Sequence, residues 1–207
     1  MKIPRLNRNS TLARCLRATI LPIFLASTAL AAGPVVLLIG GPGSGRTTQA
    51  EKLAKDLGMA IISADDLIAH NQQLFEKFKH PAIQGVDVHL DPALNGLVED
   101  ALQRADLSKG VVIDGYPAAK TQADFLTTLR DKLGLPKPVV IHLHVPDEVS
   151  MKRLAGEKGR DLEHELNDYH RELDFAHTYF PQADIHDIDG TKKPDEVAKA
   201  IRKLLGK

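Results

Sequence analysis

The stretch Val35-Val36-Leu37-Leu38-Ile39, followed by Gly40-Gly41-Pro42-Gly43-Ser44-Gly45-Arg46-Thr47-Thr48-Gln49, decides the fold. The apolar run is rich in β-branched residues and predicts a strand buried on both faces, as in a parallel sheet. The glycines after it permit a loop whose backbone N–H groups converge on an anion at the start of a helix. Together the two parts predict a phosphate-binding loop.

This loop departs from the usual pattern at one position. Gly-x-x-x-x-Gly-Lys-Ser/Thr is satisfied except that Arg46 replaces the lysine. A planar guanidinium cannot be assumed to reach the oxygens that a compact ammonium reaches. The alternative, a glycine-rich turn without chemical meaning, is disfavoured because strand, loop and helix follow in the required order. We therefore predict that phosphates contact the loop residues Gly43, Ser44, Gly45, Arg46, Thr47 and Thr48.

Composition indicates one domain and argues against nucleic-acid binding. The chain has 207 residues, of which 43% are hydrophobic, enough for a single sizeable core. Five basic residues and no acidic residue precede position 32, which leaves 22 basic residues against 27 acidic residues in the remainder. The only cysteine is Cys15. The segment after position 31 therefore has neither a disulfide framework nor a thiol nucleophile.

The first 31 residues have the pattern of a secretory signal peptide. Residues 1–17 are basic, the run from Ala18 to Ala32 is apolar, and Ala29-Leu30-Ala31 matches the small-x-small cleavage pattern. An uncleaved membrane anchor is the alternative. It is disfavoured because the strand before the loop is needed in the sheet, which leaves about 15 apolar residues, too few to span a bilayer comfortably. We predict export to the periplasm or the medium, with no membrane span after cleavage.

The chain after the loop alternates strands and helices. Four further apolar runs predict strands at Met59–Ile62, Val111–Gly115, Val139–Val145 and Ile185–Ile188. Helical periodicity between and after them predicts helices at Thr47–Leu57, Asp91–Ala105, Thr121–Leu133, Asp161–Phe175 and Pro194–Leu205. This order predicts an α/β fold with a five-stranded parallel sheet and helices on both faces.

Two side chains are candidate magnesium ligands. Asp114 ends the third predicted strand, at the sheet edge where phosphate-loop folds carry a magnesium-directing acid. Thr47 could bind the metal through its hydroxyl, with helix capping as an equally weighted alternative. The paired His142 and His144 lack ligand spacing with a carboxylate partner, so we predict no other metal site.

The motifs resemble those of adenylate kinases and related nucleoside monophosphate kinases over residues 35–205. The resemblance rests on the phosphate loop, Ile62-Ser63-Ala64-Asp65-Asp66-Leu67, Asp114-Gly115-Tyr116-Pro117 with Gln122, Val145-Pro146-Asp147-Glu148 with Arg153, and Ile188-Asp189-Gly190. It implies the phosphate-loop nucleoside monophosphate kinase fold. Residues 32–207 would form one domain with a helical monophosphate-binding insert at about 63–92 and a very short lid at about 154–162.

The resemblance also implies a reaction, in which ATP with Mg²⁺ transfers its γ-phosphoryl group to AMP and yields two ADP. Catalysis of this kind is positioning plus neutralisation of charge by cations. The residues that match the catalytic cations are Arg46, Arg153 and Arg160. Those that match the acceptor site are Gly115, Tyr116, Pro117 and Gln122, and Gln122 corresponds to the family's adenine-recognising glutamine.

Several cations of the family are missing. Ala69 and Ala118 stand where the family binds the acceptor phosphate with arginines, and Glu157 and Glu165 stand at two lid arginine positions. One transition-state arginine is worth about 10³–10⁵ in rate. The first hypothesis is therefore an exported nucleotide-binding protein with weak or no phosphoryl transfer, acting through binding or through a protein partner. The alternative is an active nucleoside monophosphate kinase.

Overall fold

The strands form one parallel sheet. The computed structural model describes residues 32–76 and 91–207, so the predicted signal peptide and residues 77–90 of the predicted insert lie outside the described residues. The strands are β1 (Val35–Ile39), β2 (Ala60–Ser63), β3 (Val111–Asp114), β4 (Val139–His144) and β5 (Ile185–Asp189). Their order is β2-β3-β1-β4-β5, and every neighbouring pair is parallel. The predicted five-stranded parallel sheet is confirmed.

β1 occupies the centre of the sheet because its apolar run has no polar face. All five of its residues are buried, and the strand pairs with β3 on one side and β4 on the other. The register places Leu38 opposite Asp114 of β3 and Ile39 opposite His142 of β4. Because parallel strands end at the same edge, the loop that follows β1 and the carboxylate that ends β3 meet there.

Helices cover both faces of the sheet, as predicted. They are α1 (Arg46–Leu57), α2 (Ala64–His70), α3 (Gln72–Glu76), α4 (Asp91–Arg104), α5 (Lys120–Leu133), α6 (Asp147–Leu154), α7 (Leu162–Tyr179) and α8 (Pro194–Leu204). One core cluster joins the sheet to α4, α5 and α7. The other joins the opposite face to α1 and α8.

α7 is longer than the sequence predicts. The prediction ended this helix at Phe175, whereas it continues to Tyr179 and buries Ala176. Its end lies just before Pro181, and the residue before a proline, here Phe180, is disfavoured in the helical region. The proline was therefore the better termination signal.

The described part of the predicted insert and the predicted lid follow β2 and β4, at the sheet edge that carries the phosphate loop. Ser63 caps α2, since its hydroxyl accepts a hydrogen bond from the N–H of Asp66 at 3.2 Å. α2 and α3 are the described part of the predicted insert. The predicted lid corresponds to the short segment 155–161 between α6 and α7. No helix within residues 32–76 and 91–207 is long and apolar enough to cross a membrane.

Truncation of the central strand should destabilise the protein. Leu37 is fully buried in the cluster that joins the sheet to α4, α5 and α7. We expect Leu37→Ala to lower the free energy of unfolding by about 2–5 kcal/mol, because it removes apolar contact and leaves a cavity. Urea denaturation of the full-length chain measures this change. Leu204→Ala is the control, since Leu204 is 38% exposed; a similar loss in both variants would contradict the assigned core.

Candidate active site

Backbone geometry makes the loop between β1 and α1 an anion cradle. Gly43 and Gly45 adopt φ values of 70° and 88°, which favour glycine. The Ser44 N–H donates to the Gly41 carbonyl at 3.1 Å, which closes the loop. Among the described residues the buried Ser44 hydroxyl has no hydrogen-bond partner. The loop leads directly into α1, whose first N–H groups favour a bound anion.

Tyr169 of α7 packs over the start of the loop. A Cβ placed on Gly41 would lie 2.9 Å from the Tyr169 ring, so a side chain there would push α7 outward. The Tyr169 hydroxyl donates to Nε2 of His142 at 2.7 Å, and Nδ1 of His142 donates to Asp187 at 2.7 Å. Burial lowers the pKa of His142, which favours this neutral form. His142 thus serves as a buried link between the sheet and α7.

Arg46 turns toward acidic side chains instead of standing free in the cleft. Its Nε forms an ion pair with Asp114, and its Nη1 donates to the Gly40 carbonyl at 3.3 Å. The same Nη1 lies 3.8 Å from Glu172, and Nη2 lies 3.8 Å from Asp65. Each nitrogen of the guanidinium therefore has an internal partner. We call Arg46, Asp65, Asp114 and Glu172 the Arg46 cluster.

Two acids of this cluster, Asp114 and Glu172, are held in an environment that disfavours their charge. Asp114 is buried, and burial raises its pKa, although Arg46 and the hydrogen bond from the Thr47 hydroxyl at 3.1 Å act against that rise. Burial raises the pKa of Glu172 to about 7, with repulsion from Asp114 and Asp65 adding to the effect and Arg46 opposing it. Three carboxylates thus share one cation.

Sequence reasoning missed Glu172. Glu172 lies in the middle of α7. The apolar periodicity of this helix does not indicate which of its residues face the phosphate loop, and no sequence motif includes Glu172. An acidic residue on a helix is normally solvated, and the sequence offers no signal that this one faces Arg46.

Arg153 of α6 fastens the loop to the sheet. Its Nη1 donates to the Gly43 carbonyl at 2.7 Å, and its Nη2 donates to the Gly190 carbonyl at 3.1 Å, just after β5. The structure therefore brings Arg153 to the phosphate loop, while its predicted catalytic role stays a prediction. Its guanidinium is already hydrogen-bonded to main-chain oxygens there.

Arg160 of the short lid is also paired with acids. Its Nε donates to Glu165 at 3.0 Å, and its Nη1 donates to Glu157 at 2.8 Å. The hydrogen bond from Arg160 lowers the pKa of Glu165. Glu157 and Glu165 thus both bind Arg160.

An open cleft of about 860 Å³ lies over the loop. Five acidic residues and three arginines line it: Asp65, Glu157, Glu165, Asp168 and Glu172, with Arg46, Arg160 and Arg171. Every one of these arginines contacts an acid, since Arg171 pairs with Asp168. Within the described part of the chain, the cleft therefore presents an excess of negative charge and no unpaired arginine.

The predicted acceptor residues lie mostly behind the cleft wall. Ala118 lines the cleft, whereas Tyr116 and Gln122 are buried and do not line it. The Gln122 amide is engaged at both ends, since its oxygen accepts from the Ala118 N–H at 2.8 Å and its nitrogen donates to Asp91 at 2.7 Å. The Gly115 φ of 73° starts the turn that leads to them.

Neither position 69 nor Lys120 supplies a free cation. Ala69 lies on α2, and Lys120, which starts α5, is paired with Asp124 at 2.5 Å. The acceptor side of the cleft therefore has no cation among the described residues that replaces the arginines expected at 69 and 118. The roles predicted for Gly115, Tyr116, Pro117 and Gln122 stay predictions.

The raised pKa of Glu172 has a consequence for stability. The folded state holds a proton up to about pH 7, whereas an unfolded glutamate releases it near pH 4.5. Because Glu172 in the folded state keeps its proton between these values, its contribution to the free energy of unfolding falls as pH rises from about 4.5 to about 7. We expect Glu172→Gln to gain stability over the natural chain through this window, reaching on the order of 2–3 kcal/mol above pH 7.

Urea denaturation at pH 5 and pH 8 measures this difference. His142 titrates in both chains, so its contribution cancels in the comparison. A difference between the two chains that stays constant across this pH range would contradict the buried position of Glu172.

Comparison with known proteins identifies the family. The family model described as adenylate kinase matches residues 38–185. An adenylate kinase from Micrococcus luteus is 32% identical over 179 residues, which cover 80% of this chain and 87% of the relative. An adenylate kinase from Mycolicibacterium vanbaalenii is 34% identical over 181 residues, covering 83% of this chain and 99% of the relative.

A solved structure supports the fold. An unliganded sugar kinase from Janibacter sp. HTCC2649 aligns with a TM-score of 0.60 and 24% identity, covering 84% of this chain and 95% of the other. At that identity the similarity shows the fold alone. Together with the phosphate loop after β1 and Asp114 at the end of β3, the family match carries the conclusion: the chain belongs to the adenylate kinase family of nucleotide kinases.

Proposed function

We propose that this chain is an exported member of its family that binds an ATP-type nucleotide and transfers phosphoryl groups to AMP weakly or not at all. The observation that carries the proposal is the engagement of Arg46, which replaces the loop lysine and pairs with Asp114. Phosphoryl transfer depends on cations that neutralise the transferred group. Here the cation at the position of the loop lysine is occupied by the protein's own acids.

The loop supports the binding part of the proposal. The left-handed glycines Gly43 and Gly45 and the N-terminus of α1 form a cradle of backbone donors that requires no lysine. Ser44, Thr47 and Thr48 add hydroxyl groups at the same place. Triphosphate binding can therefore persist when catalysis is lost.

The charges of the cleft support the catalytic part. The acceptor side has Ala69 and Ala118 in place of cations, and the lid arginine Arg160 is held by Glu157 and Glu165. Losing one transition-state arginine removes about 10³–10⁵ in rate, and several such positions are changed here. Even if these losses are not additive, little turnover remains.

Magnesium fits the oxygen donors at the end of β3. The Asp114 carboxylate and the Thr47 hydroxyl are hard ligands of the kind that Mg²⁺ prefers, and they lie 3.1 Å apart. These two residues would hold the ion together with nucleotide phosphates. Bound magnesium would neutralise phosphate charge, which the acidic cleft makes especially necessary.

The predicted leader bears on the role of the protein. With residues 1–31 removed as a signal peptide, the domain formed by residues 32–207 would act outside the cytoplasm. ATP is expected to be scarce there, so a kinase would lack its usual phosphoryl donor. In that location the protein would act by binding nucleotide, or through a protein partner that responds to the bound nucleotide.

The second candidate function is an active kinase that converts ATP and AMP into two ADP. Arg153 favours it, because its direct contact with the Gly43 carbonyl keeps a cation against the phosphate loop. The relatives named adenylate kinase favour it as well. In this alternative Arg46, Arg153 and Arg160 together replace the missing cations.

Triphosphate binding should depend on the loop glycine that precedes α1. Gly45→Val places a β-branched residue at a φ of 88°, which should distort the cradle. We expect Mg·ATP affinity to fall at least about tenfold, a loss of roughly 1.4 kcal/mol, measured by calorimetry with the full-length chain. The matched control is Gly134→Val, a glycine with a φ of 65° at the end of α5. Equal affinity in both variants would refute binding at the loop.

Turnover separates the two candidate functions. We expect ADP formation from ATP, AMP and Mg²⁺ by the full-length chain to be at least about 10³-fold slower than by the Micrococcus luteus relative, because several cations are missing or paired. Chromatography of the nucleotides measures it, and an Arg46→Ala preparation shows the background from host kinase. ADP formation near the relative's rate that disappears in Arg46→Ala would establish the active kinase instead.

A further inference from the structure

We propose that Glu172 is a positioning residue that retains Arg46 within the Arg46 cluster and thereby weakens triphosphate binding at the neighbouring loop. This inference rests on the triphosphate site proposed above and adds a residue that limits its affinity. It assigns a role to a side chain that neither the sequence motifs nor the phosphate-loop pattern includes.

The geometry of Arg46 carries the first step. Its partners come from separate elements: Gly40 follows β1, Asp65 starts α2, Asp114 ends β3 and Glu172 lies on α7. A side chain held from several directions has one orientation. For Arg46 to donate to a bound phosphate, it must give up at least part of this set.

The charge balance carries the second step. When its acids are ionised, the Arg46 cluster holds three carboxylates and one guanidinium, so the cation is already outnumbered. A triphosphate brings further negative charge to the same arginine. Turning Arg46 toward the ligand would leave buried carboxylates unpaired, which is unfavourable. The acids and the ligand therefore compete for a single cation.

Glu172 differs from the other two acids of the cluster. Asp114 also accepts a hydrogen bond from the Thr47 hydroxyl. The Asp65 side chain is 81% exposed in the first turn of α2, where solvent and the helix dipole stabilise its charge. The Glu172 side chain is only 15% exposed, and its ion-pair contact among the described residues is with Arg46. The effect of the Glu172 charge therefore falls mainly on Arg46.

The test is Glu172→Gln, which keeps the side-chain shape and removes the charge. We expect the full-length variant to bind Mg²⁺ with a non-hydrolysable ATP analogue about threefold to thirtyfold more tightly, because one repulsive charge is removed and Arg46 is less restrained. Calorimetry at pH 8.5 measures this, since Glu172, with a pKa of about 7, is ionised there. Asp174→Asn is the matched control, because it removes a charge from an exposed position of the same helix.

A double-variant cycle shows whether the effect passes through Arg46. Arg46→Met provides the second background of the cycle. In that background Glu172→Gln should give a clearly smaller gain, measured relative to Arg46→Met itself. Unchanged or weaker affinity in Glu172→Gln, or a gain of the same size with methionine at position 46, would overturn the inference. A merely structural role of Glu172 predicts no gain in affinity.

Two further comparisons distinguish failure of the Glu172 role from failure of the proposed triphosphate site. If Glu172→Gln does not fold, as judged by circular dichroism, Glu172→Asp withdraws the carboxylate by one methylene and should give a smaller gain in affinity; no gain there overturns the inference. Triphosphate binding by the natural chain without a gain in the variants refutes only the role of Glu172. Absence of binding in every chain refutes the proposed triphosphate site itself.

Discussion

The ion pair between Arg46 and Asp114 is the contact on which the character of this site depends. The parallel register of β1 and β3 brings the phosphate loop and the carboxylate to one edge of the sheet. In a phosphate-binding site, a cation next to such a carboxylate can pair either with the ligand phosphate or with the carboxylate of the protein. Because Asp65 and Glu172 approach the same guanidinium, the internal partners outnumber it. Local charge thus fixes the partners of Arg46 in this structure.

The same pattern recurs around the cleft. Arg160 is paired with Glu157 and Glu165, and Arg171 is paired with Asp168. Exposed ion pairs of this kind are individually weak, so a strongly charged ligand could separate them. The pair formed by Arg46 is different, because Asp114 is buried and loses more when its partner leaves. The lid arginine is consequently the easier cation to recruit and Arg46 the harder one.

The fold does not require the chemistry of the family. The two core clusters consist of apolar residues on the strands and on the inner faces of the helices, and the loop cations contribute to neither. Burial of that surface stabilises the sheet whether or not phosphates are bound. The family match over residues 38–185 therefore does not by itself establish phosphoryl transfer.

The sequence by itself determined the parallel sheet, the helices on both faces and the phosphate loop, because apolar periodicity and glycine-rich turns are local properties. Only the tertiary structure decided that Arg46 faces acids, that Glu172 of α7 joins them, and that the Gln122 amide is already bonded at both ends. Each of these depends on which side chains meet when distant segments pack. A local sequence pattern indicates on which face of an element a side chain lies. Which other side chain it contacts depends on how the other elements pack against that face.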